Sequence, residues 1–344
     1  MNIETIEQKI GEREQRIRDL SITVIEPEQS IGPEIQAQWM IDLLSKIYVN
    51  HGVTQNPQGV IDAIVSGDMR CWFALDVDNS PVSVAALIAQ RDGAVELGRA
   101  VALQTNQGVG GLLMLTAALD HIQHSEQPLV AEVRMADEFH GVHSSHSTQV
   151  ISFGHIGLHP HALVPAFHHG EPNRQEPFAF SSSRKILDPE KAFLADPTAQ
   201  VWQATLGLMQ EFAPSIQVEM CESGSLEHGW TIVQEKPFVV VVPERSTTTN
   251  LDTTLQRADN LDAFTLIPIS LSSEMAGAVN ECLRLGLVPC GIDRSLDENG
   301  HPQLLMGRLR QGTMLAPMVQ VPNALSQAQS SALRAIDQQF RKQI

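Results

Sequence analysis

The stretch of this 344-residue chain whose residue types best suit chemistry is Gln107-Gly108-Val109-Gly110-Gly111-Leu112-Leu113. It stands between a strand-like run, AVELGRAVAL, and an apolar helix-like run that stops near Ser125. Glycines let the backbone approach a ligand closely and adopt angles that other residues avoid. A helix beginning there directs several unpaired N–H groups at one point, which suits a diphosphate. Dinucleotide binding would want this loop after the first strand of a βαβ unit, with an acidic residue about 20 residues later. Three meandering strands precede it instead, so that option fits poorly, and a purely structural glycine turn is the plain alternative.

The histidines are the second chemical feature. Eight of 13 fall between His140 and His169. His140, His143 and His146 share a face if the segment is helical, and neutral imidazole is a common zinc ligand. Yet H-x-x-H-x-x-H lacks the glutamate of H-E-x-x-H, and no cysteine stands nearby. A metal site is therefore the least favoured of three readings, beside a polar cleft lining or base and a solvated surface, and no metal ligand is assigned. Cys71, Cys221, Cys282 and Cys290 are far apart with no C-x-x-C. They indicate neither a disulfide framework nor a thiolate site, and each reads as a small buried hydrophobe.

Elements must position the glycine loop. A charged helix opens the chain to about Leu20, then a short strand, SITVIEP, and helices from Pro33 to about Asn50 and from Pro57 to Ser66. Three strands follow, CWFALDV, PVSVAALIAQ and AVELGRAVAL, separated by Asp-Asn-Ser-Pro and Arg-Asp-Gly turns short enough to make them antiparallel neighbours. The loop and its helix lead to strand PLVAEVRM, a histidine-rich helical stretch to Gly157, and strands ALVPAF and PFAFSSS. The order β-α-α-β-β-β-α-β-α-β-β is an α/β fold of the α+β mixed-sheet kind, not a doubly wound one. From about Leu187 the chain starts again: a helix from Thr198 to Phe212, strands IQVEMC, WTIVQ and FVVVVP, and a polar turn-like region from Glu244 to Asn260. Strand AFTLIPISL, helix SSEMAGAVNECLRLG and strands VPCGI and QLLMGRL follow, and a helix from Leu325 to Phe340 closes the chain. GLHP at Gly157–Pro160 recurs as GLVP at Gly286–Pro289, each followed by two strands, a faint internal repeat. The second copy has no Gly-x-Gly loop. The expected division is 1–187 and 188–344.

Order and loop together resemble the GNAT superfamily of N-acyltransferases, which bind acetyl-CoA. That family carries a Q/R-x-x-G-x-G/A loop whose amides cradle the CoA pyrophosphate. The matching frame here is Thr105-Asn106-Gln107-Gly108-Val109-Gly110: both glycines match, and Thr105 replaces the leading Gln or Arg. VAEVRM, HSSHSTQ and FGHIGL are similar to a bacterial tandem subgroup with a degenerate second GNAT-like half. The resemblance implies a GNAT-like fold followed by a degenerate GNAT-like domain. It implies acetyl-CoA or another acyl-CoA as co-substrate, bound by Leu103, Thr105, Asn106, Gln107, Gly108, Val109, Gly110 and Gly111. It also implies acyl transfer to a small amine, with Glu96 and Glu132 as candidate bases and His143 and His146 on the acceptor side. Arg99 and Arg134 are expected to pair with those carboxylates or to select an acidic group on the acceptor. In many members a Tyr four residues before the helix-ending Gly supplies the proton for the leaving thiolate. Here that position is Phe153, with Ser152 and His155 close by. This substitution sets up the other reading, a non-catalytic acyl-CoA-binding or regulatory protein. The second half is expected to close the acceptor cleft or to mediate a homodimer.

Composition excludes other classes. Hydrophobic residues make up 42%, a globular profile. The formal charge of −17 argues against a nucleic-acid grip driven by counterion release and against docking on anionic lipid. With no basic-then-apolar opening and no uncharged run of about 18 residues, a cytoplasmic protein with no membrane partner is the economical expectation.

Overall fold

Polar turns build the first sheet. Asp76 Oδ1 accepts the amides of Asp78 and Ser80, and Asp92 Oδ1 accepts that of Ala94. Asn79 and Gly93 take the positive φ, +59° and +80°, that such tight reversals require. The turns close an antiparallel meander of β2 (Met69–Leu75), β3 (Pro81–Ala89) and β4 (Val95–Ala102), with β1 (Thr23–Ile25) antiparallel to β2. The computed structural model describes residues 3–18, 22–27, 31–47, 52–103, 108–136, 145–167, 174–183, 191–194, 203–212, 217–220, 229–234, 238–244 and 246–344. Contacts divide the chain into two compact units, Met1–Val133 with Glu138–Leu158 and Arg134–Asp137 with His159–Ile344.

In the first unit the helices are α1 (Ile3–Arg18), α2 (Pro33–Ile47), α3 (Gly52–Gln55), α4 (Pro57–Ser66), α5 (Val109–His124) and α6 (Ser145–Gln149), which runs into a π-helix (Val150–Ile156). Asn56 starts α4 by accepting the Gly59 amide, Pro57 needs no partner at the first turn, and Gly67 ends it at φ +82°. Helices α2 and α4 bury Met40, Leu43, Leu44 and Val60 against Cys71, Phe73, Val84, Ala86 and Val101 on one sheet face. The other face meets α5, where Arg70 of β2 pairs with Asp120 at 2.7 Å. Strand β5 (Leu129–Arg134) joins β4 in parallel, the connection that a crossover helix such as α5 makes.

The second unit holds β6 (His159–Phe167), β7 (Arg174–Ser182), β8 (Lys191–Leu194), α7 (Gln203–Phe212), β9 (Gln217–Met220), β10 (Gly229–Gln234), β11 (Val239–Glu244), α8 (Leu251–Leu261), β12 (Phe264–Ser270), α9 (Ala276–Arg284), β13 (Val288–Leu296), β14 (Pro302–Leu309), β15 (Met314–Leu315) and α10 (Gln327–Arg341). Its main sheet runs β7-β6-β13-β14-β12-β11-β10, and β8 pairs with β9 in parallel. By packing, β6 and β7 belong here, although the sequence reading groups them with residues 1–187. The chain thus forms the mixed α/β sheet expected of it.

One expected element is corrected. Glu244–Asn260 is not a turn throughout, for α8 occupies Leu251–Leu261. Two adjacent threonines and five polar residues hide a helix whose Asn250 side chain accepts the Thr253 amide at 2.8 Å and whose Leu251, Leu255 and Ala258 are fully buried on one face.

The junction of β6 with β13 depends on two residues. A side chain at Gly291 would overlap the Ala162 backbone, so only glycine lets the strands meet there. Beside it His161, fully buried, donates its Nδ1–H to the Ile292 carbonyl at 2.6 Å; a carbonyl can only accept, which fixes the tautomer. Burial pushes the His161 pKa down to about 4. Its folded value lies below the unfolded one near 6.5, so its contribution is complete above pH 6.5 and is lost as pH falls toward 4, an effect of about 3 kcal/mol. Urea denaturation at pH 7, 5.5 and 4.5 should show wild type losing stability more steeply than His161→Gln over that window; parallel curves would refute the assignment.

Candidate functional site

Helix α5 begins without a side-chain cap. Its N-cap is Gly108 at φ +97°, and the first intrahelical bond runs from the Leu112 amide to the Gly108 carbonyl at 3.1 Å. The amides of Val109, Gly110 and Gly111 therefore point out of the helix end, where the helix dipole adds partial positive charge. A Cβ placed on Gly108 would meet no heavy atom of the described residues within 4 Å.

The other two glycines answer to packing. A Cβ on Gly110 would lie 3.2 Å from Ala102 Cβ and 3.5 Å from Ser83 Oγ, which sets the helix start against the end of β4. A Cβ on Gly111 would lie 2.7 Å from Ile151 Cδ1 and 3.1 Å from Arg13 Nε, so its absence lets α1 and the π-helix close on α5. Val109 is fully buried, and Leu103 packs against the α2/α4 core. Thr105, Asn106 and Gln107 lie outside the described residues, as does His143.

Strands β4 and β5 part beside this helix end. Their parallel ladder holds Val95↔Leu129 and Glu96↔Val130 and goes no further among the described residues, although β4 continues to Ala102. Past the last rung β4 carries an extra residue: Val84 faces Val101 while Ala86 faces Gly98, and Arg99 takes φ +55°. Glu96 sits on that last rung. Its carboxylate receives Gln90 Nε2 at 2.9 Å, has Arg99 Nη1 at 3.8 Å, and lies over Gly98, where a Cβ would be 2.5 Å from Oε1. Glu132 stands two residues beyond Val130, hence on the same sheet face as Glu96, and is exposed. The structure thus brings together Glu96, Glu132 and the parting strands. Sequence reasoning expected Arg99 beside Glu96, which the structure shows, but missed Gln90, although Gln90 opens the very turn it recognised.

His146 is exposed on α6. Phe153 is buried in the π-helix, and Ser152 is fully buried. The carbonyl of Ser152 accepts the amides of both Gly157, at φ +80°, and Leu158. His155 is half-buried, and its pKa is lowered by burial and by the charges of Arg13 and Lys9, against a smaller opposite effect of Glu12. Among the described residues no three His, Cys, Asp or Glu side chains gather as metal ligands. Arg134 departs from expectation: in the second unit it forms a buried bidentate pair with Glu176, Nε to Oε2 at 2.9 Å and Nη2 to Oε1 at 2.8 Å. That pairing satisfies a charge no solvent reaches, and Glu176 gave no signal of it in sequence.

With this geometry in hand, no family model and no curated protein matches the sequence. Solved structures do. An N-acetyltransferase from Staphylococcus aureus is 9% identical and covers 47% of this chain and 96% of its own, with a TM-score of 0.34. A protein from Desulfovibrio desulfuricans assigned to the GNAT family of acetyltransferases is 12% identical, covers 47% and 97%, and has a TM-score of 0.35. A spermidine N-acetyltransferase from Vibrio cholerae is 12% identical, covers 47% and 92%, and scores 0.33. The chain is similar to N-acetyltransferases over about half its length.

Two stability tests follow. Gly108→Ala forces an L-residue into left-handed backbone and should cost about 1–2 kcal/mol in urea denaturation, with Gly108→Asn costing less; an unchanged midpoint for the alanine variant would contradict the cap geometry. Glu176→Gln strands the buried Arg134 charge and should cost about 3–5 kcal/mol, whereas Arg134→Met with Glu176→Leu should lie much closer to wild type.

Proposed function

We propose that this chain is an acyl-CoA-dependent N-acyltransferase, acting with acetyl-CoA or another acyl-CoA on a small amine. One observation carries the reading: a helix end at Gly108 without a side-chain cap stands beside two parallel strands whose ladder goes no further than Glu96 among the described residues. The amides of Val109, Gly110 and Gly111 fit a diphosphate there, with Leu103 and Thr105–Gln107 as the remaining loop residues of the site. Acyl-CoA supplies the activated thioester when bound. Glu96, held by Gln90 and Arg99, takes up the proton of the attacking amine through water, and Glu132 lends the same face a second carboxylate. The amine nitrogen bonds to the acyl carbon, the carbon–sulfur bond breaks, and the thiolate takes a proton from solvent. Phe153 contributes hydrocarbon only, while burial first, and then the charges of Arg13 and Lys9, disfavour protonation of His155. His143 and His146 are assigned to the acceptor side.

The wiring of the second unit supports a tandem reading in which residues 188–344 repeat the fold of 1–187 without the loop. A homodimer and a cytoplasmic location belong to the same proposal. No helix among the described residues is long and apolar enough to cross a membrane.

Isothermal titration of the full chain with CoA tests the assignment, and no heat up to millimolar CoA would remove it. Glu96→Gln should lower amine-dependent thiol release by about 10²–10⁴-fold while leaving CoA affinity unchanged. The buried Phe153 favours a second reading, a non-catalytic acyl-CoA-binding or regulatory protein. CoA binding with no thiol release across a panel of amines would select it.

A further inference from the structure

Glycine weakens a strand, and a glycine inside one marks an unusual backbone or a close approach. Gly98 stands in the interior of β4. The bulge beside it does not account for it. The left-handed residue there is Arg99 at φ +55°, where a glycine would be at home, whereas the backbone of Gly98 is not left-handed and suits alanine. Crowding by other residues does not account for it either. The three heavy atoms nearest to where a Cβ would stand all belong to Glu96: Oε1 at 2.5 Å, Cδ at 3.2 Å and Cγ at 3.6 Å. What the missing side chain makes room for is one carboxylate.

We propose that Gly98 is a positioning residue: its bare backbone is the seat on which the Glu96 carboxylate is held for acyl transfer. The proposal rests on the reading of Glu96 as the base given above. Residues two apart on a strand share a face, and their side chains ordinarily stand up from the sheet side by side. Glu96 instead lies over Gly98, half-buried, with Oε2 accepting Gln90 Nε2 at 2.9 Å and Oε1 3.8 Å from Arg99 Nη1. A methyl group at position 98 lifts the carboxylate off that seat and away from Gln90. A general base works only within hydrogen-bond reach of its proton, directly or through one water, so the displacement disables it without removing it. The far end of a glutamate is flexible, and the fold therefore absorbs the same change easily.

The test compares the full-length wild type, Gly98→Ala, Glu96→Gln and the double variant in amine-dependent thiol release from acetyl-CoA, with urea denaturation beside it. Gly98→Ala should lower kcat about 10- to 100-fold and leave the KM for acetyl-CoA unchanged. The double variant should be no slower than Glu96→Gln alone, because both changes act through one carboxylate. The urea midpoint of Gly98→Ala should not fall. A readout independent of turnover comes from NMR: the Gln90 side-chain amide resonances should move in Gly98→Ala toward their positions in Glu96→Ala. Full activity in Gly98→Ala, losses that multiply in the double variant, a lowered midpoint or a Gly98→Ala that does not fold, or an unmoved Gln90 amide overturns the role of Gly98 and leaves the reading of Glu96 standing. A wild type without amine-dependent thiol release, or one whose turnover survives Glu96→Gln, overturns that reading and takes the role of Gly98 with it.

Discussion

The candidate site depends on one irregularity, the extra residue in β4. A regular strand would continue its ladder with β5 and bring no opening to the helix end. Arg99 instead occupies a backbone region that costs a non-glycine residue of order 1 kcal/mol or more, and the strand shifts by one residue. Register with β3 resumes at Val101 and Ala102, where the buried Ser83 hydroxyl donates to the Val101 carbonyl at 2.7 Å. Ala102 is also the residue against which Gly110 packs. The same bulge that ends the pairing of β4 with β5 therefore fixes where α5 begins, and Glu96 lies on the last rung before it.

The second unit shows what this wiring becomes with a side-chain cap. There β11, α8 and β12 repeat the strand–helix–parallel-strand connection, again with a ladder of two rungs, Val239↔Thr265 and Val240↔Leu266. The rung that carries Glu96 in the first unit carries Val240 in the second. At the helix start, Asn250 uses its own side chain to satisfy the Thr253 amide, and the preceding segment packs down: the Trp230 amide donates to Thr249, and Gly229 lies against the Thr247 carbonyl. Capping by a side chain and binding of an anion compete for the same amides. Gly108 has no side chain with which to take them up, whereas Asn250 consumes one of them within the chain.

What could be read from sequence was whatever depends on short range. The polar turns around Asp76 and Gly93 bring their own hydrogen-bond acceptors and positive-φ residues, so β2, β3 and β4 fell close to where the sequence put them. The glycine loop could be placed between strand and helix for the same reason. Helix α8 could not, because its propensity is poor and its three buried apolar positions act only through a partner sheet. Arg99, an ordinary-looking strand residue, gave no sign of its left-handed backbone. Arg134 and Glu176 are 42 positions apart, and nothing local records that one neutralises the other.

The faint repeat of GLHP and GLVP also shows why counting along a helix misleads. Both motifs end a helix on a left-handed glycine, Gly157 at φ +80° and Gly286 at +79°. At Gly286 the ending is of the Schellman kind, with the Gly286 amide bonded to Leu283 and the Leu287 amide to Cys282. At Gly157 the bonds reach further back, two residues further for the glycine amide and one for the next, both amides ending on Ser152, and the last turn is π-helical. One residue added to a turn rotates everything before it by roughly 100° relative to a regular helix. Four positions back from Gly157 is Phe153 by number, yet the face it presents is not that of the fourth residue back in an α-helix. Phe153 is buried here by the phase of the turn as well as by its side chain, so a count along the sequence does not by itself give the face on which the residue lies.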